Sequence, residues 1–406
     1  MVCDVAKLLI HTHHEQGAGH TVEGYAQGTG MPGVVLVTPN VHALAKPCTK
    51  WFTVVNVTKE LPSSLQKAFE HSMHGRRGPV LVAIPNDISS AVLSRTAYAQ
   101  ALESYTSKTQ DISDINATED TVSEQTKQMI RWSGQLISFV IGPALVSKLS
   151  EKAHMPVATT LLGLGSFDED KSELVHMMGA RLDARVLGDP AKFAPKTRAT
   201  EQDNCGRISQ FDLEPGNVRV VKSLVGNDDP TPHQIVIELD RQLRQPPMKA
   251  IISTGVGQHQ MGTARSFHWR TPRAFLTSGS MGTIGFGLPA AIGAQLGCPD
   301  SLVIDLDGDG SFNMTMEELL TASQRKVPVK THYTGRPACV RPQNADFVLL
   351  AESMGSLGCR CGSVQGPEDG IQWLLEAAEL AVLDVELGSE PHMLPIVRVG
   401  LLWIPL

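Results

Sequence analysis

The fold of this chain is indicated by the stretch Ser301-Leu-Val-Ile-Asp-Leu-Asp-Gly-Asp-Gly-Ser-Phe-Asn-Met-Thr-Met-Glu317. Its first half is a β-branched apolar run, typical of a buried strand, and it ends in the glycine-rich turn Asp307–Gly310. A helical pattern rich in Met, Glu and Leu follows. This strand–loop–helix order is the unit of a parallel α/β sheet, whose ligands lie at the carboxyl ends of the strands.

The turn after this strand suits a metal ion bound to a phosphate. Gly308 and Gly310 let the backbone approach a phosphate closely, and the N-terminus of the following helix points at the anion. A carboxylate beside a pyrophosphate needs a cation between them, and Mg²⁺ uses one or two carboxylates together with phosphate oxygens. We therefore predict Asp309 as a magnesium ligand. For an isolated DGDG, an acidic surface turn is the other interpretation.

A calcium loop is an alternative for the same residues, Asp305 to Met316. Aspartates occupy its first, third and fifth positions, Gly310 the sixth and Asn313 the ninth. The twelfth position holds Met316 where the motif needs a glutamate, and a calcium loop follows a helix rather than a strand. An EF-hand-like calcium-binding protein is thus the alternative from a different class.

Two further glycine-rich turns lie in the same part of the chain. Thr254-Gly-Val-Gly-Gln-His-Gln260 follows the apolar run Lys249–Ser253, but its last residue stands where a dinucleotide fingerprint needs a third glycine. A nicotinamide site is therefore disfavoured, and Gln258 and His259 are predicted as neutral donors to a diphosphate. The third turn, SGSMGTIGFG at 278–287, leads into an apolar helix.

The rest of the chain extends the α/β pattern. We predict strands over Gly33–Thr38 and Pro79–Ile84 and a helix over Ser63–Ser72. The segment Tyr98–Lys127 is rich in Ser, Thr, Asp, Glu and Gln with little apolar periodicity, which is typical of a linker.

Composition excludes several functional classes. The 406 residues are 42% apolar with a net charge of −7, and Lys and Arg form no basic stripe, so we expect no nucleic-acid partner. No apolar run approaches the ~20 residues that span a bilayer, so we expect no membrane partner. The seven cysteines are widely spaced without a CxxC, which predicts neither a disulfide framework nor a zinc site and favours a reducing compartment.

The three turns together resemble the diphosphate-binding domain of thiamin-diphosphate enzymes. The amino-acid sequence most resembles that of the acetolactate synthase (acetohydroxyacid synthase) catalytic subunit of the fungal type. The resemblance is carried by TGVGQHQM, TSGSMGTIGFGLPAAIGAQ and VIDLDGDGSFNMTMEEL. The first domain of this family is resembled by HEQGAGHTVEGYA, PGVVLVT and RRGPVLVAIPNDI. Its middle domain is resembled by MPVATTLLGLGSFDED and GARLDARVLGDPAKFAPK. The resemblance implies condensation of two 2-oxo acids with loss of CO₂, pyruvate with pyruvate or 2-oxobutanoate, in valine, isoleucine and leucine biosynthesis.

The resemblance also implies an α/β fold of three doubly wound parallel-sheet domains, the first two truncated here. On this basis we predict a pyrimidine-binding domain at residues 1–97, a linker at 98–127, a central FAD-type domain at 128–235 and a diphosphate- and Mg²⁺-binding domain at 236–406.

A catalytic role for Glu15 follows from the resemblance. In the family, the Glu of HEQGA hydrogen-bonds a ring nitrogen of the cofactor's aminopyrimidine and favours the imino tautomer that removes the thiazolium proton. Without this context, His11, His13, His14 and Glu15 would indicate a chance polar cluster or an adventitious metal site.

Other site residues are implied in the same way. Asp309 would bind Mg²⁺, and Ile284 would support the bent cofactor. The further thiamin-diphosphate contacts would be Gln258, His259, Gly282, Gly310 and Ser311. The contacts to FAD, which is chiefly structural in the family, would be Leu161, Arg181, Asp183, Arg185, Asp212 and Asn217.

Partners and location are implied as well. In the family the Glu and the metal turn of one site come from different subunits, which implies at least a homodimer; a regulatory subunit and small 2-oxo acid substrates are further expected partners. The resemblance implies a mitochondrial location, although Met1–Ile10 has no Arg-rich transit-peptide character. Without such a leader, the location would be cytoplasmic.

Several family segments are missing. Pro39-Asn40 is followed almost at once by CTKWFTVV, the middle stretch lacks the strand before Ser133, and Thr331 stands where an Asn-Asn pair would supply a second Mg²⁺ ligand. Because the segments that enclose the flavin are lost, we expect FAD to bind weakly or not at all. An inactive remnant of the family, from misplaced splice junctions or a decayed gene copy, is the alternative to an active enzyme.

Overall fold

A computed structural model describes residues 9–37, 45–75, 77–92, 143–144, 147–148, 161–168, 232–244, 248–335, 345–362 and 366–387. The chain divides into two compact units, one of residues 1–35 and 137–406 and the other of residues 36–136. The predicted linker Tyr98–Lys127 lies outside the described residues, as does most of the predicted central domain.

Helices and strands follow one another in the described parts of the chain. In order they are α1 (Glu15–Thr29), β1 (Trp51–Val54), α2 (Leu61–Met73), β2 (Val80–Ala83), α3 (Asn86–Ser89), α4 (Pro232–Leu243), β3 (Ala250–Thr254), α5 (Gln258–Ser266), β4 (Phe275–Leu276), α6 (Gly287–Gly297), β5 (Leu302–Gly308), α7 (Asp309–Phe312), α8 (Glu318–Gln324), β6 (Lys330–Gly335), α9 (Phe347–Ser353), β7 (Leu357–Cys361), α10 (Pro367–Glu376) and β8 (Ala381–Glu386).

The smaller unit contains a two-stranded parallel sheet. Strands β1 and β2 pair with Trp51 opposite Val80, and α2 connects them. Pro62 stands in the first turn of α2, where its missing N–H costs nothing. The helix predicted at Ser63–Ser72 and the strand predicted at Pro79–Ile84 are confirmed.

The larger unit is built on a six-stranded sheet in the order β4-β3-β5-β6-β8-β7, in which all neighbours are parallel. Alternate strand residues enter two separate cores. Ile251 and Val303 pack with α6 and α8 on one face, whereas Ile252 and Ile304 pack with α4 and α10 on the other. Both faces are therefore covered by helices, as expected of a doubly wound sheet.

Helix α1 packs unusually closely against α6 in this unit. A Cβ added at Gly24 would lie 2.0 Å from the Ala290 carbonyl oxygen, and one at Gly293 would lie 1.8 Å from the Thr21 carbonyl oxygen. Helix α6 is apolar around its whole circumference and buried over most of its length, which fits a helix covered by the sheet on one side and by α1 on the other. Glycines on both helices thus allow their backbones to touch.

The strand predicted over Gly33–Thr38 is wrong for the residues that are described. Residues 33–37 form no ladder, and Val34 and Leu36 are 64% and 78% exposed. A strand needs a neighbour for its N–H and C=O groups, and none of the described strands pairs with this segment. An apolar β-branched run is therefore left exposed.

No helix among the described residues is both long enough and apolar enough to cross a membrane.

Substituting Gly24 by alanine tests the helix contact. The added methyl group would meet the Ala290 carbonyl oxygen, so we expect the free energy of unfolding to fall by about 1–3 kcal/mol. Gly19 of the same helix has no atom within 4 Å of an added Cβ, so Gly19→Ala should be neutral or stabilise by up to about 1 kcal/mol. Urea unfolding of both variants measures the difference, and equal stabilities would contradict the close approach.

Candidate cofactor site

The carboxyl end of β5 carries the predicted metal turn. Asp309 begins the short helix α7 directly after the strand, and its Oδ1 accepts the N–H of Gly310 at 2.7 Å. Asp309 is 8% exposed, whereas Gly310 is exposed and has no atom within 4 Å of an added Cβ. A carboxylate therefore stands at the base of an open, glycine-bordered surface.

Two more carboxyl groups lie inside β5 behind this turn. Asp305 and Asp307 are both fully buried, and neither carboxyl oxygen of Asp305 has a hydrogen-bond partner. Burial raises the pKa of Asp305 well above its ordinary value, and the neighbouring Asp307 adds to this. Burial likewise raises the pKa of Asp307 to about 7, against hydrogen bonds from Ser311 and from the N–H of Gly308. Neutral Asp305 is thus the form the interior favours.

Glycines make room for these carboxyl groups. A Cβ at Gly255 would lie 1.9 Å from Asp307 Oδ1, and one at Gly287 would lie 2.4 Å from Asp305 Oδ1. Ser311 completes the arrangement, since its Oγ accepts the N–H of Gly285 at 3.0 Å. The three predicted glycine turns thus meet at the end of β5. They can approach so closely because glycines have no side chains to keep them apart.

His259 lies in the first turn of α5 and is 8% exposed. Its Nε2 has no hydrogen-bond partner and lies 3.4 Å from Asp307 Oδ1. Burial lowers the pKa of His259 to about 4, partly offset by a hydrogen bond to the backbone of Gly255. The imidazole is therefore neutral, while Gln258 beside it is half-buried.

The loop before α6 presents an apolar surface. Ile284 is 48% exposed, Met281 82% and Met314 52%, and a Cβ at Gly285 would lie 2.9 Å from Met314 Cβ. Gly282 is exposed, has a positive φ of 62° and has open space around it. Exposed apolar side chains next to buried polar ones are typical of a ligand site.

The first turn of α1 reaches this loop. Gln16 Nε2 donates to the Ile284 carbonyl oxygen at 3.4 Å, and Glu15, the first residue of α1, is exposed beside it. His14 caps the helix, with its Nδ1 accepting the N–H of Gln16 at 3.1 Å. The residue predicted as catalytic and the loop predicted to support the cofactor thus come together, although 269 positions separate them in the sequence.

Both parts of this site belong to one chain. The resemblance implies that Glu15 and the Asp309 turn of a given site come from different subunits, whereas here α1 packs on α6 of the same compact unit. The glycine contacts between these helices are the physical reason for the arrangement. That the Glu15 of one site faces the Asp309 turn of a second subunit stays a prediction.

The predicted FAD residues are represented by Leu161 alone. It begins the 3₁₀ turn Leu161–Gly163 and is 39% exposed, in an apolar groove against Met261 and Ala264 of α5. The remaining predicted FAD contacts lie outside the described residues: Arg181, Asp183, Arg185, Asp212 and Asn217.

The calcium-loop alternative is contradicted by the structure. Asp305 and Asp307 lie within β5 and are fully buried, so they form part of a strand rather than a loop around an ion. Among the described residues there is no group of three or more His, Cys, Asp or Glu side chains that could hold a metal ion. The described histidines near Glu15 form no such group either.

One buried acidic residue of this region could not be predicted from the sequence. Glu318 is fully buried and accepts the backbone N–H groups of His13 and His14. The only sequence signal was a glutamate in the first turn after the metal motif, and nothing in that pattern indicates a contact with a segment some 300 residues away.

Comparison with known proteins identifies the class. Residues 255–334, which include all three glycine turns from Gly255 onward, match the family described as thiamine pyrophosphate enzyme, C-terminal TPP binding domain. The solved structure of a thiamine diphosphate-dependent 4-hydroxybenzoylformate decarboxylase from Rhodococcus jostii is similar with a TM-score of 0.67, over 94% of this chain and 92% of that one, at 17% identity. The chain thus has the predicted α/β fold with parallel sheets, and it carries a thiamin-diphosphate-binding domain.

Curated relatives give the family. The chain is 32% identical to the mitochondrial acetolactate synthase catalytic subunit of Aspergillus candidus, over 97% of this chain and 76% of that one. It is 31% identical to the counterpart from Saccharomyces cerevisiae, over 95% and 76%. The chain belongs to the acetolactate synthase catalytic-subunit family. The first alignment extends over 531 residues although the chain has 406, so the relative contains segments that this chain lacks.

Replacing Asp305 by asparagine tests the burial of an unpartnered acid. Because the pKa of Asp305 is raised in the folded protein, its contribution to stability is lost as pH rises above the ordinary carboxyl pKa near 4, where the unfolded chain ionises first. We expect the parent's free energy of unfolding to fall as pH rises above about 4, and that of Asp305→Asn to fall less. Asp300→Asn, on an exposed turn, should follow the parent. Parallel pH profiles for the parent and Asp305→Asn would contradict the assignment.

Proposed function

We propose that this chain acts as an acetolactate synthase, joining two 2-oxo acids, pyruvate with pyruvate or with 2-oxobutanoate, with loss of CO₂. The observation that carries this proposal is the hydrogen bond from Gln16 to the Ile284 carbonyl oxygen, which puts Glu15 beside the glycine loop of the diphosphate half-site. The family membership supports the same reaction and a role in valine, isoleucine and leucine biosynthesis.

The residues at the end of β5 fit a diphosphate with its cation. The N-cap of α5, Gly257, has no side-chain capping bond, so the N–H groups at this helix end suit an anion. Gly282 and Gly310 border open space. Asp309 would hold Mg²⁺, and phosphate oxygens and water would complete its coordination. Gln258, His259, Gly310 and Ser311 would contact the diphosphate.

The other half of the site fits the aromatic part of the cofactor. Thiamin diphosphate supplies, when bound, a stabilised carbanion for attack on the 2-oxo acid carbonyl. Glu15 would hold a proton at a ring nitrogen of the aminopyrimidine, which a solvent-facing carboxylate at the start of a helix can do. Ile284 would give apolar support, and exposed Met281 and Met314 beside it would be covered on binding and would exclude water.

An inactive member of the family is a second candidate. The relatives contain segments that this chain lacks, and Thr331, which replaces the expected second Mg²⁺ ligand, is fully buried in the interior of β6. Losing a direct Mg²⁺ ligand should lower metal affinity or activity by more than the 10–100-fold loss that is typical when a residue supporting a ligand is changed. Under this proposal the chain would bind thiamin diphosphate yet turn over slowly or not at all.

Partners, location and the flavin are further proposals. The relatives are named as catalytic subunits and the fungal ones as mitochondrial, which supports a homodimer or larger assembly, a regulatory subunit and a mitochondrial location. We propose that FAD binds weakly or not at all, because charged contacts without enclosing segments are screened by water.

Calorimetric titration of the purified chain tests the proposed function. We expect thiamin diphosphate to bind in the presence of Mg²⁺, and Ca²⁺ alone to give no binding. Asp309→Asn should weaken cofactor binding by more than about 10-fold, and Asp300→Asn should leave it unchanged. Glu15→Gln should keep the affinity and abolish acetolactate formation from pyruvate.

The outcomes separate the candidates. Cofactor binding with acetolactate formation supports the active enzyme, whereas binding without product supports the inactive member. Failure to bind thiamin diphosphate, or Ca²⁺ binding alone, contradicts both. The protein should be free of flavin absorbance after gel filtration with added FAD, and a protein that stays yellow would contradict the proposal on FAD.

A further inference from the structure

Glu318 is a fully buried carboxylate at the start of α8. Its Oε1 accepts the backbone N–H groups of His13 and His14, each at 3.2 Å, and its Oε2 accepts the Thr321 hydroxyl at 2.6 Å. An isolated buried charge is costly, so a carboxylate at such a place persists only with several good donors. Two of these donors come from the residues directly before Glu15.

The first turn of α1 is shaped around this carboxylate. A Cβ at Gly17 would lie 2.0 Å from Glu318 Oε1 and 2.5 Å from its carboxyl carbon. The glycine that follows Glu15 by two positions is therefore needed for Glu318 to reach the backbone of residues 13 and 14. The His13 ring adds a second link, since its Nδ1 lies 2.9 Å from the Thr321 hydroxyl oxygen.

The same helix is held at its other end by a cation. Arg273 donates from its guanidinium to the Thr29 carbonyl oxygen at 3.2 Å, next to the helix C-cap Gly30. A negative group at the N-terminus and a positive group at the C-terminus both interact favourably with the helix dipole. The axial position of α1, and with it the height of Glu15 above the glycine loop, is thus constrained at both ends.

We propose that Glu318 is a positioning residue for Glu15. Its carboxylate anchors the backbone of His13 and His14, so that Glu15, the next residue, is presented to the cofactor's aminopyrimidine at a constant height. The inference rests on the proposed function of Glu15, and it assigns to Glu318 no contact with substrate or cofactor. A neutral amide accepts the His13 and His14 N–H groups without the assistance of a charge, and its NH₂ group cannot accept the Thr321 hydroxyl, so it cannot anchor this turn as well.

Glu318→Gln tests the proposal, with Glu317→Gln as its matched control one residue earlier. In the cofactor-free protein, we expect amide hydrogen exchange in residues 10–17 to become at least about 10-fold faster in Glu318→Gln and to stay unchanged in Glu317→Gln. With thiamin diphosphate and Mg²⁺, cofactor affinity should change less than about 3-fold. The exchange of the cofactor's thiazolium proton, followed by NMR, and kcat should both fall about 10- to 100-fold.

A second variant protects the test against misfolding. Gly17→Ala leaves the charge of Glu318 in place but pushes it from the turn, so it should show the same faster amide exchange and the same loss of thiazolium-proton exchange. Gly19→Ala, with open space around it, should show neither.

The results separate the two proposals. Unchanged amide exchange in Glu318→Gln, or faster amide exchange with parental thiazolium-proton exchange and kcat, would overturn the positioning role and leave the proposed function standing. A parent chain that does not bind thiamin diphosphate would instead overturn the proposed function.

Discussion

The direct contact between the backbones of α1 and α6 is the constraint on which the site depends. Gly24 and Gly293 let each helix approach a carbonyl oxygen of the other. Any larger residue at either position would separate the helices. Because α6 begins at the end of the glycine loop, this contact also brings the first turn of α1, which carries Glu15, to Ile284, where Gln16 donates to its carbonyl oxygen. The catalytic proposal therefore rests on small residues that take no part in chemistry.

Two buried acidic residues on opposite sides of the site differ in their hydrogen-bond partners. Behind the metal turn, Asp305 is buried without a hydrogen-bond partner, and its raised pKa favours the neutral form. At the opposite side, Glu318 is equally buried but accepts two backbone N–H groups and a hydroxyl. The two acids thus differ in their hydrogen-bond donors rather than in their depth of burial.

The sequence allowed two of the six strands of the central sheet, β3 and β5, and the turns after them to be predicted. Strands β3 and β5 are β-branched runs followed by glycines, so their period and endings can be recognised locally. Residues 33–37 have the same composition but form no strand, because strand formation also needs a partner that no local pattern can supply. Glu318 could not be predicted either, since its acceptor role involves main-chain groups of His13 and His14, and the main chain has no sequence signature. The contact of Gln16 with Ile284 required the fold itself.

A cysteine cross-linking experiment tests most directly whether one chain brings both halves of the site together. A chain carrying both Gln16→Cys and Ile284→Cys is compared with co-expressed chains that carry one substitution each, using a short thiol cross-linker and mass spectrometry to locate the linked residues. We expect a link between positions 16 and 284 within the double variant and none between the co-expressed chains. A link that forms between the co-expressed chains, with none inside the double variant, would contradict it.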